Sequence, residues 1–296
     1  MSASKSIIKH LPTYFLSILI ILTTLFFACQ IVGTVKSQQV TKSDLVVSFI
    51  DVWQGDAILI QTPNGKNILI DGGPVSHSGN LVRYLEDKKI RILHHVFATH
   101  LHPDHVGGLT SIIDRFGVEK LFDPGITYEH PDVAAYENAR NGLEARYNLI
   151  SKKKDIEISP NITLNILSPD NTGNRDIHTN CIVIYLEYKG ISFLFTADMN
   201  YPAEDRLIED KINLNSNVLK VSHHGENDAC SNNFLDKVKP EYAVISVGEG
   251  NKYRRPKEQV LKRLENAGAK ILRTDRNGTI VCRVSSEGLL TVTSER

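Results

Sequence analysis

The sequence predicts an α/β protein, a four-layer αββα sandwich preceded by an N-terminal membrane-anchor helix. Three observations carry this expectation. Short apolar strands come in runs and are interleaved with helical segments, the pattern of mixed sheets covered by helices. One of those strands opens directly onto Thr99-His100-Leu101-His102-Pro103-Asp104-His105-Val106-Gly107-Gly108, around which the rest of the chain is organised. The beginning of the chain differs from all that follows, being apolar with a positive flank.

In chain order, Lys5, Lys9 and His10 precede an apolar run over residues 14–35, about the 20 residues that cross a bilayer core. A secretory apolar region is shorter, so an uncleaved signal anchor is favoured over a cleaved signal peptide. The stretch Leu25-Phe26-Phe27-Ala28-Cys29 leaves lipidation as a further alternative. The positive flank keeps the N-terminus in the cytoplasm, which places residues 44–296 outside the membrane, either anchored to it, secreted or held as a lipoprotein. Residues 1–35 are thus the anchor or signal, 36–43 a polar tether, and 44–296 the folded domain.

Within that domain, residues 45–52 read as an alternating strand. Residues 57–62 and 67–71 form a hairpin around Pro63-Asn64-Gly65. Residues 81–88 read as an amphipathic helix, and 92–98 as a buried strand, broken by His94 and His95, that ends at Thr99. A strand over 118–122 and a long helix over 132–151 follow. Strands are expected at 162–167, 182–188, 191–196, 218–221, 242–247 and 269–273, and helices at Tyr201–Glu209 and 257–267. Asn277-Gly278 turns into a last hairpin, 279–284 and 289–293.

The chain has 296 residues, 41% hydrophobic and 23% charged, so the domain has ample material for its own core. A formal net charge of zero excludes a global basic field, though not a local patch. Cys29, Cys181, Cys230 and Cys282 are widely spaced, with no C-x-x-C. They make neither a disulfide framework nor a zinc ribbon.

His-x-His-x-Asp-His splits naturally between two metal ions. His100 and His102, two apart on extended chain, point the same way and can grip one ion. Pro103 suits a first helical turn, which puts Asp104 and His105 at a helix N-terminus within reach of a second ion. Gly107 and Gly108 allow that helix to pack closely. Asp198 ends a buried strand and either bridges the two ions or caps the helix Tyr201–Glu209. His223 is expected as the last ligand of the second ion, with His224 pointing the other way on extended backbone as proton donor; the reverse assignment stays open. His178 is either the third ligand of the first ion or a loop histidine without a role. Asp71 is expected to orient the motif loop through hydrogen bonds. His10, His77, His94, His95 and His130 have no such support.

This combination resembles the metallo-β-lactamase superfamily. Asp51-Val52-Trp53-Gln54-Gly55-Asp56-Ala57 is similar to the opening of the C-terminal domain of ComEC, the DNA-uptake channel of competent bacteria. Val221-Ser222-His223-His224-Gly225, Asn251-Lys252-Tyr253-Arg254-Arg255-Pro256 and Arg273-Thr274-Asp275-Arg276-Asn277-Gly278 follow in that family's order. The resemblance implies a dinuclear hydrolase, and in the ComEC-like case a nuclease. The sequence departs from the pattern at Trp53 (usually glycine), Glu226 (usually serine), Arg255 (usually histidine) and His178 (usually asparagine).

The expected chemistry is hydrolysis by a water held between two divalent ions, its pKa brought near neutrality. Zinc suits the ligand set, with manganese as the alternative. Arg254, Arg255 and Lys257 form either a phosphate-holding rim or a solvated helix start. DNA or another phosphodiester is therefore the favoured substrate. The enzymatic alternatives are an envelope phosphorylcholine-type esterase and a lactone or β-lactam hydrolase, the last requiring a carboxylate-binding Lys or Arg beside the second ion. The alternative from another class is a non-catalytic DNA-binding module, which would have lost ligands.

Overall fold

Alternation of apolar side chains along the strands builds this molecule from the middle outwards. The structure, a computed structural model, describes residues 44–169 and 175–296. The expected anchor and tether therefore lie outside the described residues, and among those described no helix is long and apolar enough to cross a membrane. The first half of the domain forms β1 (Leu45–Phe49), β2 (Ile58–Gln61), β3 (Asn67–Ile70), β4 (Ile92–Leu93), β5 (His95–Phe97), β6 (Gly117–Val118), β7 (Leu121–Asp123) and β8 (Tyr147–Leu149). The second half forms β9 (Lys154–Ser159), β10 (Ile162–Ser168), β11 (Val183–Tyr188), β12 (Ile191–Phe195), β13 (Val218–Lys220), β14 (Tyr242–Ile245), β15 (Lys270–Arg273), β16 (Ile280–Val284) and β17 (Leu290–Ser294).

One sheet has the order β17-β16-β1-β2-β3-β5-β7-β8 and the other β15-β14-β13-β12-β11-β10-β9, while β4 and β6 pair apart as a short ribbon. Leu45, Val47, Phe49, Ile58, Ile60, Ile68 and Ile70 of the first sheet meet Ile184, Leu186, Phe193, Phe195 and Val244 of the second in a shared core. The alternate residues face outwards, under helices. Leu59, Leu69, Val96 and Leu121 pack beneath α1 (Ser78–Asp87), α2 (Pro103–Val106), α3 (Leu109–Arg115) and α4 (Pro131–Asn141). On the far side, Leu194, Leu219, Ala243 and Ile245 pack beneath α5 (Tyr201–Glu209), α6 (Asn232–Val238) and α7 (Glu258–Asn266). The short α8 (Thr274–Asn277) links β15 to β16. The four layers are helices, sheet, sheet, helices.

Several elements differ from the expectations. The helix expected over 132–151 ends at Gly142, and the chain makes a 3-10 turn at Glu144–Arg146 before entering β8, which pairs parallel with β7. The strand expected over 92–98 is two strands in different sheets, because His94 turns its backbone N–H to Asn67 O while His95 starts the pairing with β3. Residues 118–122 divide in the same way between β6 and β7. β9, α6 and α8 were not expected from the sequence, although Ile156 and Ile158 of β9 alternate with exposed Asp155 and Glu157.

Candidate metal centre

The motif loop is held in place by backbone packing before any side chain acts. β5 ends at Thr99, whose N–H and Oγ1 both donate to the Asp71 carboxylate at 2.8 and 2.7 Å. Pro103 opens α2, as its fixed φ suits a first helical turn. The loop after β3 runs against α2 so closely that Gly72 N donates to His105 O and Gly108 N to Gly73 O. A Cβ at Gly108 would lie 2.1 Å from Gly72 O, so only glycine permits this approach.

Two groups of ligand-type side chains result. His100, His102, His178 and Asp198 offer donor atoms within 4.8 Å of one another, and so do Asp104, His105 and His224. Asp198 lies between them: Oδ2 is 3.9 Å from His100 Nε2 and 3.5 Å from His224 Nε2, and Oδ1 is 3.3 Å from His105 Nε2. It does not cap α5, because Asn200 does, accepting from Ala203 N. His102 Nδ1 is 3.1 Å from His100 Nε2 and 3.3 Å from His178 Nε2, so the loop histidine joins the first group.

The imidazoles are oriented from behind. His105 Nδ1 donates to Asp71 at 2.8 Å, and His224 Nδ1 donates to Ser246 O at 2.8 Å. Since Thr99 Oγ1 donates to Asp71, it accepts from His100 Nδ1 at 3.2 Å. Each tie leaves the other ring nitrogen facing inward. His105 Nε2, His224 Nε2 and Asp198 Oδ1 are buried and find no hydrogen-bond partner among the described residues. Such atoms are costly to bury bare. The donor set, imidazole nitrogen and carboxylate oxygen without thiolate, fits borderline divalent cations, so the residues present fit a metal pair.

Electrostatics point the same way in the first group. Burial lowers the pKa of His100, His102 (to about 4) and His178, keeping them neutral. Burial also opposes charge on His105, but Asp198 and Asp71 outweigh it and raise its pKa. For Asp198, burial is outweighed by His224, His105 and His223, which hold the carboxyl well below its usual range. Behind the site, fully buried Lys220 pairs with Asp56, donates to Ala197 O at 2.9 Å and lies 3.8 Å from Asp198 Oδ1.

The extended backbone expected at His223 and His224 is absent. Both residues are left-handed, φ 50° and 53°, so strand alternation does not govern them. The two have different surroundings. His224 is the one beside Asp104, with Nε2 3.4 Å from Oδ2. His223 binds Asp228 through Nδ1 at 3.0 Å and lines an open cavity of about 630 Å³.

Residues 50–249 match the sequence profile of the Metallo-beta-lactamase superfamily. The chain belongs to the metallo-β-lactamase superfamily. It is 29% identical over 255 residues to ComE operon protein 3 of Bacillus subtilis, covering 80% of this chain and 33% of that protein. It is 31% identical over 247 residues to competence protein ComA of Neisseria gonorrhoeae, covering 83% and 33%. The chain thus spans about a third of the length of these curated relatives. Among solved structures it resembles Igni18, a metallo hydrolase from Ignicoccus hospitalis, with TM-score 0.54, 17% identity and coverage of 85% and 100%. At that identity the likeness concerns the fold.

Of the departures from the ComEC-like pattern noted in the sequence, Trp53, His178 and Arg255 line the cavity and Glu226 is bonded to Arg255. Trp53 adopts φ 66°, donates from Nε1 to Glu249 O and stacks on His77 with centroids 5.6 Å apart. Glu226 and Arg255 are partners, Arg255 Nε donating to Glu226 Oε2 at 2.9 Å. Of the three basic residues expected at the rim, Arg255 lines the cavity, joined by Lys252; Arg254 and Lys257 do not. Lys257 donates to Tyr253 O. Sequence reasoning missed Lys220, although a lysine inside Val-Leu-Lys-Val is itself a signal of a buried partner. It also missed Asp228 and the contribution of Asp56, which lies in the motif that carried the resemblance.

Proposed function

We propose that this chain is an exported, metal-dependent phosphodiester hydrolase carrying two divalent ions, zinc or manganese, and acting on DNA or a related phosphodiester. The observation that carries this is the convergence of two His/Asp groups on Asp198, with buried inward nitrogens left bare. His100, His102 and His178 would hold one ion, Asp104, His105 and His224 the other, with Asp198 shared. The likeness to competence proteins supports DNA as the substrate, and the apolar N-terminal run supports a membrane anchor with the domain outside.

When bound, the ions supply Lewis acidity and a water acidic enough to attack near neutral pH. The chain's own residues supply orientation. Asp71 and Ser246 O fix the rings of His105 and His224, and Lys220 balances the carboxylates of Asp56 and Asp198. His224 is fully buried, whereas His223 faces the cavity with its Nε2 accepting from Arg255 Nη2.

The test is elemental analysis of protein purified without chelator, with turnover of bis(p-nitrophenyl) phosphate and single-stranded DNA measured on the same sample. Two ions per chain with chelator-sensitive turnover of either substrate are expected. Two ions without turnover would overturn the phosphodiester reading, and no ions after reconstitution would overturn the metal centre. A second reading, β-lactam hydrolysis, needs a cation to hold the substrate carboxylate, and Arg255 lines the cavity; hydrolysis of nitrocefin in place of the diester would favour it.

A further inference from the structure

Arg255 is the most constrained cation at the cavity. Its backbone is bracketed by one side chain, Asn251 Oδ1 accepting from Arg255 N at 3.0 Å and Asn251 Nδ2 donating to Arg255 O at 2.7 Å. Its guanidinium carbon sits 4.9 Å from the Tyr253 ring centroid. Nε donates to Glu226 Oε2, and Nη2 donates to His223 Nε2 at 2.9 Å. Because an arginine can only donate, His223 Nε2 accepts, and the His223 proton sits on Nδ1 against Asp228. Among the described residues Nη1 makes no hydrogen bond. The guanidinium lines the same cavity as His102, Asp104, His178 and Asp198. A fork-shaped donor held rigid beside the reacting centre suits a planar or tetrahedral oxyanion.

Glu226 sets the charge of that fork. Its Oε2 lies 2.9 Å from Arg255 Nε and 3.6 Å from Lys257 Nζ, so the carboxylate is anchored from two sides and stays beside the guanidinium. A phosphodiester brings one negative charge, which the open edge of Arg255 can match. A phosphomonoester brings close to two at neutral pH, and the Glu226 carboxylate, bonded to the same guanidinium, disfavours the second. We propose that Arg255, positioned by Glu226, holds the anionic oxygen of the substrate, and that the pair selects a singly charged phosphodiester over a doubly charged monoester. This rests on the phosphodiesterase reading for its substrate class.

The experiment compares full-length wild type with Arg255→Ala, Arg255→Lys and Glu226→Gln, after elemental analysis of each. KM and kcat are measured on bis(p-nitrophenyl) phosphate and p-nitrophenyl phosphate, and binding of dimethyl phosphate and inorganic phosphate is measured by calorimetry. Arg255→Ala is expected to raise the diester KM and weaken dimethyl phosphate binding by about tenfold or more, the weight of a charge-assisted hydrogen bond, with a smaller change in kcat and the same bound metal. Arg255→Lys restores the charge without the fork and recovers part of the loss. Glu226→Gln is expected to tighten inorganic phosphate binding and raise the monoester-to-diester ratio of kcat/KM by roughly threefold to tenfold. Diester turnover with a KM and dimethyl phosphate affinity indifferent to Arg255 would overturn the proposal while leaving the phosphodiesterase reading intact. An unchanged monoester-to-diester ratio in Glu226→Gln would overturn the selectivity. Arg255-dependent binding of dimethyl phosphate by a protein that turns over no diester would instead overturn the phosphodiesterase reading and keep the anion clamp.

Discussion

At the scale of single residues, the site separates two adjacent histidines that the sequence presents as a pair. His224 Nε2 lies beside Asp104 and Asp198, while His223, its Nε2 3.7 Å from Asp198 Oδ2, binds Asp228 through Nδ1 and lines the cavity. His224→Gln is therefore expected to lower metal affinity by more than about 100-fold, the upper figure for losing even an outer partner of a ligand. His223→Gln should keep both ions and lose rate. Equal metal content in the two variants, read by elemental analysis, would reject this division. The types and spacing of His100, His102, Asp104 and His105 were legible because all four lie on one loop whose strand-to-helix geometry follows from Pro103. The different setting of His223 and His224 was not legible. It turns on two left-handed backbone angles, and nothing in Ser-His-His-Gly announces those.

Secondary elements place these residues through close contacts between main chains. Gly108 of the turn between α2 and α3 lies against Gly72, and the Cβ of an alanine would fall 2.1 Å from a backbone oxygen. Gly108→Ala is expected to cost roughly 2–4 kcal/mol, as overpacking against backbone does. Gly79 in α1 has nothing within 4 Å of such a Cβ, so Gly79→Ala should be neutral or stabilising by up to about 1 kcal/mol. Urea unfolding of the two variants side by side measures the contrast. Apolar runs such as β1 to β3 and β11 to β12 were legible for the same reason that they pack: alternate side chains enter the core between the sheets, and others such as Leu59, Leu69, Val183 and Leu194 lie under the helices. The segment 142–151 was not, because Gly142 and the short β8 interrupt what reads as one helical run, and pairing with β7 decides the conformation of β8.

At the scale of the whole molecule, a buried ion pair links the two sheets. Lys220 ends β13 of the second sheet, and Asp56 precedes β2 of the first. Both are buried. Lys220→Met would leave Asp56 and Asp198 without their counter-charge, and a loss of about 3–5 kcal/mol in unfolding free energy is expected. Adding Asp56→Asn should recover part of it, and additive losses in the double variant would deny the coupling. The sequence alone does not reveal this link, since the partners are distant along the chain and only the stacking of the sheets brings them together. The sheet order β17-β16-β1-β2 sets a schedule as well. β1, the first strand of the domain to leave the ribosome, pairs on one side with β2 but on the other with β16, Leu45 opposite Val284. That flank stays unpaired until nearly the whole domain has been synthesised. Release from the ribosome, or a chaperone covering the bare edge of β1 until then, thus becomes part of how this protein reaches its native state.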